Sequence, residues 1–198
     1  MNTFEAIYKR RSIRKFINKE IPKECIEKIL DAAIQAPSAK NSQPWKFIVI
    51  TESNKTAMLN AMQSGIENSK EQMKYFPNIN YFLTSADNSL KSMGQAPITV
   101  FIFNTTDDHS WIERSKELSL SQCANTQSIG AAIENMLLAA ASLGIGSLWI
   151  CDIFFAYQEI CQWLGEENQL VAAVSFGYAD EEPDKRPRKK FDNAVQWR

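Results

Sequence analysis

Arg10-Arg11-Ser12-Ile13-Arg14 sets three guanidinium groups around one hydroxyl. Such a cluster holds a phosphate or another oxyanion through forked, charge-assisted hydrogen bonds. A second segment, Pro37-Ser38-Ala39-Lys40-Asn41-Ser42-Gln43-Pro44-Trp45, places turn formers, small side chains and amides just before an apolar run. That composition lets backbone and side-chain amides approach a flat polar ring. A further basic set, Arg186, Arg188, Lys189 and Lys190, lies in the tail. A basic clamp with an amide-rich platform suits a phosphorylated, planar cofactor.

Other chemistries find less support. Gly144-Ile145-Gly146-Ser147 is a poor phosphate loop, because it follows a helical pattern and lacks the G-x-G-x-x-G spacing. His109, beside Asp107 and Asp108, reads as surface, and no nucleophile motif accompanies it. Cys25, Cys123, Cys151 and Cys161 have neither Cys-x-x-Cys nor zinc-ligand spacing, so they read as reduced, mostly buried thiols and no metal is expected. A formal net charge of −1 argues against nucleic acid. No run is long and apolar enough to cross a bilayer, and the first residues lack the apolar core of a signal peptide. The expectation is a cytoplasmic protein.

The elements that must position these residues follow from periodicity. The 198 residues are expected to form one domain with a full core. Thr3 to Lys9 predicts a short helix. Ile26, Ile29, Leu30, Ala33 and Ile34 predict an amphipathic helix opened by Pro22 and stopped by Pro37. Phe47–Thr51, Ile98–Phe103, Ser147–Cys151 and Leu170–Phe176 predict strands. Residues 53–74 predict a helix broken near Gly65. Residues 75–95 show no regular period, and residues 64–93 are expected to form a pocket roof, with Phe76, Tyr81 and Phe82 against a bound acceptor. Asn104 to Ser110 reads as a polar loop. Ser128–Leu143 is apolar nearly all round, as a central or interfacial helix would be, with Gly144 as its C-cap. Ala156–Leu164 predicts another helix. Residues 180–198 form an extended tail with no core of its own.

Four segments resemble the nitroreductase family, in family order. RRSIRKF is similar to its Arg-x-Ser-x-(Arg/Lys) motif and APSAKNSQPWKFIV to its Pro-Ser-x-x-Asn-x-Gln-Pro-Trp motif. LGIGSLWICD is similar to its central Leu-Gly-x-Gly-x-x-x-Ile segment, and GYADEEPDKRPRKKFDNAV to its Gly-Tyr ending. The resemblance implies an α+β fold: a central, mainly antiparallel sheet flanked by helices, in an intertwined homodimer whose tails reach the partner. It implies FMN as cofactor, NAD(P)H as donor, and a nitroaromatic or quinone as small-molecule electron acceptor, reduced by a ping-pong cycle. No side chain need be catalytic, because the flavin carries the chemistry.

Carried over by residue, Arg10 and Ser12 contact the phosphate and ribityl chain, and Arg11 runs along the ribityl. Arg14 sits near the ring edge where negative charge gathers on reduction. Pro37, Ser38, Ala39, Asn41 and Gln43 belong to the cofactor site, reached from the other subunit. Leu148, Trp149, Ile150 and Cys151 pack on one ring face, and Arg186 and Arg188 close on the phosphate. Gln63 or Asn68 supplies a further amide. Some relatives carry an acidic residue and a glycine where Cys151 and Asp152 stand. The alternatives are a specialised relative that dehalogenates, fragments flavin or oxidises rings, and a flavin-binding redox sensor without turnover.

Overall fold

A computed structural model describes residues 1–106 and 120–198. Four strands form one antiparallel sheet: β1 (Trp45–Ile50), β2 (Ile98–Asn104), β3 (Gly146–Ile150) and β4 (Gln169–Gly177), in the order β1-β2-β4-β3. The two central strands read as continuous apolar runs because helices cover both faces. Val100, Ile102, Ala172, Val174 and Phe176 pack on one side with α2 (Lys23–Ile34) and α5 (Leu120–Ser142). Phe101, Phe103, Leu170 and Ala173 pack on the other with α3 (Glu52–Gln72), α4 (Ile79–Gln95) and α6 (Tyr157–Leu164). The α+β architecture and all four predicted strands are present.

The helices depart from expectation in three places. α3 is not broken at Gly65. It runs unkinked past that residue, and the glycine serves close approach instead. A Cβ there would lie 2.2 Å from Ala156 Cα in the turn that precedes α6. Residues 79–95 are not irregular but helical. Ile79, Leu83, Ala86 and Met93 form a buried stripe at helical spacing, with Leu90 partly buried between them. Tyr81 and Phe82 stand between the stripe positions on the outside of the helix, which masks the period in the sequence. Third, α5 starts eight residues before Ser128. Its first two turns carry no apolar stripe but bury Gln122 and Asn125, and the Asn125 amide donates to Thr106 Oγ1 at the end of β2.

The apolar length of α5 is largely covered within one chain. Ile129, Ala132, Ile133, Met136 and Ala140 are fully buried against α2 and the sheet. The tail is extended through residue 190 and ends in one helical turn, α7 (Phe191–Ala194), which the sequence reading lacked. The expected surface residue His109, with Asp107 and Asp108, lies outside the described residues.

Candidate cofactor site

α1 (Thr3–Lys9) delivers the basic segment to the edge of the sheet. An Asn2–Glu5 capping box starts this helix, and Arg10 ends it in extended conformation. The chain then runs beside β3. Ile13 N–H donates to Ser147 C=O at 2.9 Å, and Phe16 bridges Ala179 beyond β4. Ile13 and Phe16 are buried, whereas Ser12 before them and Arg14 between them are exposed.

Here the first basic set meets Arg186 and Arg188 of the second, whereas Lys189 and Lys190 do not line the cleft. A cleft of about 380 Å³ is lined by Arg10, Arg11, Ser12, Arg14, Lys185, Arg186 and Arg188, with two carboxylates, Glu134 and Asp184, and with Ile7, Tyr8 and Pro183. The guanidinium groups rest mainly on carbonyls. Arg11 donates to Tyr8 C=O at 2.7 Å and Arg10 C=O at 2.9 Å, Arg14 to Ser12 C=O at 3.3 Å, and Arg188 to Arg186 C=O at 3.2 Å. Among the described residues only Arg10 has a carboxylate partner, Glu134 of α5 at 3.7 Å. Carbonyl partners orient a guanidinium without neutralising it, so the cleft keeps positive charge to offer an anion. These donors fit the phosphate of FMN.

The β3 residues divide by the two-residue period of a strand. Leu148 and Ile150 are buried in the core below the sheet, so their side chains do not join Trp149 on one face as expected. Trp149 points the other way, is 39% exposed and lies against α5, where a Cβ on Gly130 would be 4.0 Å from the indole. The Ile13–Ser147 bond shows that Ser147 turns its backbone groups to the outer edge of β3. Two residues on, Trp149 turns its own N–H and C=O to that same edge. Cys151 is exposed, and partial burial and the neighbouring Asp152 carboxylate raise its thiol pKa.

The amide-rich loop forms a tight 3₁₀ turn over Ala39–Asn41, in which Lys40, Asn41 and Gln43 take φ of +53°, +56° and +47°. Three left-handed residues without a glycine are costly, and such strain persists only where surroundings hold it. Ser38 Oγ accepts from Gln43 N–H at 3.0 Å, and Ser128 Oγ of α5 accepts from Ala39 N–H at 3.3 Å. Ser128 and Glu134 are about 9 Å apart along α5 and about 120° apart around it, and no residue of the loop lines the cleft. Pro37, Ser38, Ala39, Asn41 and Gln43 therefore do not wall the basic cleft within one chain.

Of the expected acceptor pocket, Phe76, Tyr81 and Phe82 are 61%, 76% and 49% exposed. Phe76 lies in the turn before α4, and α4, which carries Tyr81 and Phe82, is tied down, since Ser85 and Ser89 both donate to Asp152 after β3, at 3.0 and 2.5 Å. The candidate amides are occupied within the chain: Asn68 donates to Glu159 at 2.7 Å and Gln63 to Glu67 at 2.6 Å. Residues the sequence reading missed include Glu134, Ser128, Gln95 and Glu181.

Comparison with known proteins identifies the family. The sequence profile of the Nitroreductase family matches residues 7–178. An Archaeoglobus fulgidus protein named "Putative NADH dehydrogenase/NAD(P)H nitroreductase" is 33% identical over 91% of this chain and 87% of its own length. The crystal structure of a BluB-like flavoprotein from Clostridium difficile 630 superposes with a TM-score of 0.82 at 26% identity, covering 100% of this chain and 99% of that one. An FMN- and NADPH-dependent nitroreductase from a Sphingopyxis strain, 19% identical, shares the fold with a TM-score of 0.77 over 100% of this chain and 99% of that one. The chain belongs to the nitroreductase family.

Proposed function

We propose that this protein is an FMN-dependent oxidoreductase that passes electrons from NAD(P)H to an electron-poor acceptor such as a nitroaromatic or a quinone. The observation that carries the proposal is the basic cleft, in which residues far apart in sequence present guanidinium groups with carbonyl partners. Family membership and the names of relatives support the redox chemistry. FMN, when bound, supplies the ring that accepts and returns the hydride.

The chain's own residues bind and orient. Arg10, Ser12, Arg186 and Arg188 hold the phosphate, and Arg11 lies along the ribityl chain. Arg14 places positive charge near the ring edge that becomes electron-rich, which favours reduction. Trp149 and the outer edge of β3 form one wall. Donor and acceptor use the same open face in turn, so exchange is ping-pong.

The working unit in this proposal is a homodimer of single-domain chains. Pro37–Gln43 from the partner completes the site, and residues 180–198 reach across. Trp197, 84% exposed on a tail without a core, supports that assignment. Four free thiols among the described residues, and no helix there long and apolar enough to cross a membrane, fit a cytoplasmic setting.

The test is direct. The purified protein should release FMN on denaturation, about one per chain. NADH or NADPH should reduce it under anaerobic conditions, and a nitroaromatic or quinone should reoxidise it. Extraction of FAD, or reduction without reoxidation by any such acceptor, would overturn the proposal. The likeness to a BluB-like flavoprotein favours a second reading, a specialised relative, which predicts reduction by NAD(P)H but no turnover with nitroaromatics.

A further inference from the structure

Every backbone N–H from Ile13 to Ile17 has an acceptor, drawn from separate parts of the chain. Ile13 donates to Ser147 C=O at 2.9 Å, Phe16 to Gln95 Oε1 at 3.3 Å, and Ile17 to Tyr178 C=O at 2.9 Å. The two between them, Arg14 and Lys15, donate to one atom, Oε1 of Glu181, the second at 3.2 Å. Glu181 stands at the root of the tail. Just before it, Asp180 N–H returns to Lys15 C=O at 2.9 Å, and Phe16 bridges Ala179. Four residues further on, Lys185 Nζ lies 5.4 Å from the centre of the Tyr8 ring. The tail is thus fastened at Glu181, then at Lys185, and only then reaches the cleft with Arg186 and Arg188.

A carboxylate oxygen that accepts two successive main-chain N–H groups makes charge-assisted bonds with both. Those bonds fix the tail against the very segment that carries Ser12 and Arg14. Glu181 lines the neighbouring cavity formed with Gly144–Ser147, not the cleft with Arg188. Its carboxylate is taken up by two main-chain N–H groups beside the cleft, in a cavity that shares Arg10 and Arg11 with it.

We propose that Glu181 is a positioning residue for phosphate recognition. It docks the root of the tail on the Arg14 and Lys15 amides, and so sets Arg186 and Arg188 opposite Arg10, Arg11 and Ser12. The role rests on the FMN reading above. It predicts a specific consequence: loss of Glu181 weakens binding of the phosphorylated flavin while sparing the same flavin without its phosphate.

The experiment titrates wild type, Glu181→Leu, Glu181→Gln and Glu181→Asp with FMN and with riboflavin, following flavin fluorescence, with melting temperatures in parallel. Glu181→Leu should weaken FMN at least tenfold and riboflavin less than twofold. Glu181→Gln keeps an oxygen at the same reach and should recover most FMN affinity. Glu181→Asp keeps the charge but shortens the arm, and should lose FMN affinity several-fold. It also stands in if the leucine variant does not fold. Equal weakening of both flavins, or unchanged or tighter FMN binding in Glu181→Leu and Glu181→Asp, overturns the role. Wild-type protein that binds neither flavin overturns the function proposed above and this role with it. Wild-type binding without phosphate-selective loss in the variants overturns the role alone.

Discussion

The Arg10 guanidinium lies 3.7 Å from the Glu134 carboxylate on α5, and this pair joins the end of the first helix to α5 in the lining of the basic cleft. Glu134 is half-exposed, so water screens the pair, which contributes at most about 1 kcal/mol to stability. It does, however, compete for a cation of the cleft. Glu134→Gln should leave the melting temperature within a few degrees of wild type and tighten FMN binding a few-fold. The gain should shrink as salt is raised. Weaker FMN binding at low salt would show that Glu134 orients Arg10 rather than competing for it.

Arg188 and Arg14 line the same cleft but are assigned different work. Arg188→Ala should weaken FMN by roughly ten- to a hundredfold, since losing a charged hydrogen bond costs about 1.5–3 kcal/mol. Arg14→Ala should mainly lower the flavin potential and slow reduction by NAD(P)H. Equal affinity loss in both variants with an unchanged potential would refute the division. Spectroelectrochemistry and flavin titration together provide the check.

Gly65 predicts a packing defect. An added methyl would meet Ala156 Cα at 2.2 Å and Ala156 Cβ at 2.3 Å, both rigidly placed. Overpacking of this kind typically costs about 1–3 kcal/mol. Gly65→Ala should therefore lower the melting temperature by several degrees, although alanine is the better helix former. A melting temperature equal to wild type would show that the turn before α6 yields freely.

Phe76, Tyr81 and Phe82 give a sharper test now that their exposure is known. Residues this exposed have little packing to lose, so each alanine variant should change stability by no more than about 0.5 kcal/mol. If they face the acceptor in the assembled enzyme, KM or selectivity among nitroaromatics and quinones should shift with FMN content retained. Three variants with wild-type selectivity would remove α4 and the turn before it from the acceptor site.

Cys161 predicts an alkaline limit. Burial pushes its thiol up to about 11, and the Glu166 carboxylate adds to this, against a partial offset from Tyr157. The folded state therefore keeps its proton at pH values where the unfolded thiol, near 9, has lost it. Unfolded chains then bind fewer protons, so stability falls as pH rises from about 9 to about 11. Chemical denaturation across that window should show the decline, and Cys161→Ala should flatten it.

Much of this protein was settled by local sequence. The strands could be read because β-branched and aromatic runs such as Ile98–Phe103 admit few other fates when both faces are covered. The amphipathic stripe of α2 was largely plain, with Ile26, Ile29 and Ala33 buried and Leu30 partly buried, although Ile34 at its end is exposed. The basic residues of the cleft were also legible, because guanidinium groups around a hydroxyl are chemistry that composition alone displays. Tertiary structure decided the rest, for reasons of distance and direction. Only the register along β3 could send Leu148 and Ile150 inward and Trp149 outward. Only packing could turn Gly65 from an apparent break into a contact surface for Ala156. The period of α4 was hidden because Tyr81 and Phe82 face outward between its buried positions, and nothing in one sequence says which way an aromatic points. Glu181 shows the limit most clearly. Its partners are backbone amides more than a hundred and sixty residues away, and main-chain donors leave no mark in a sequence.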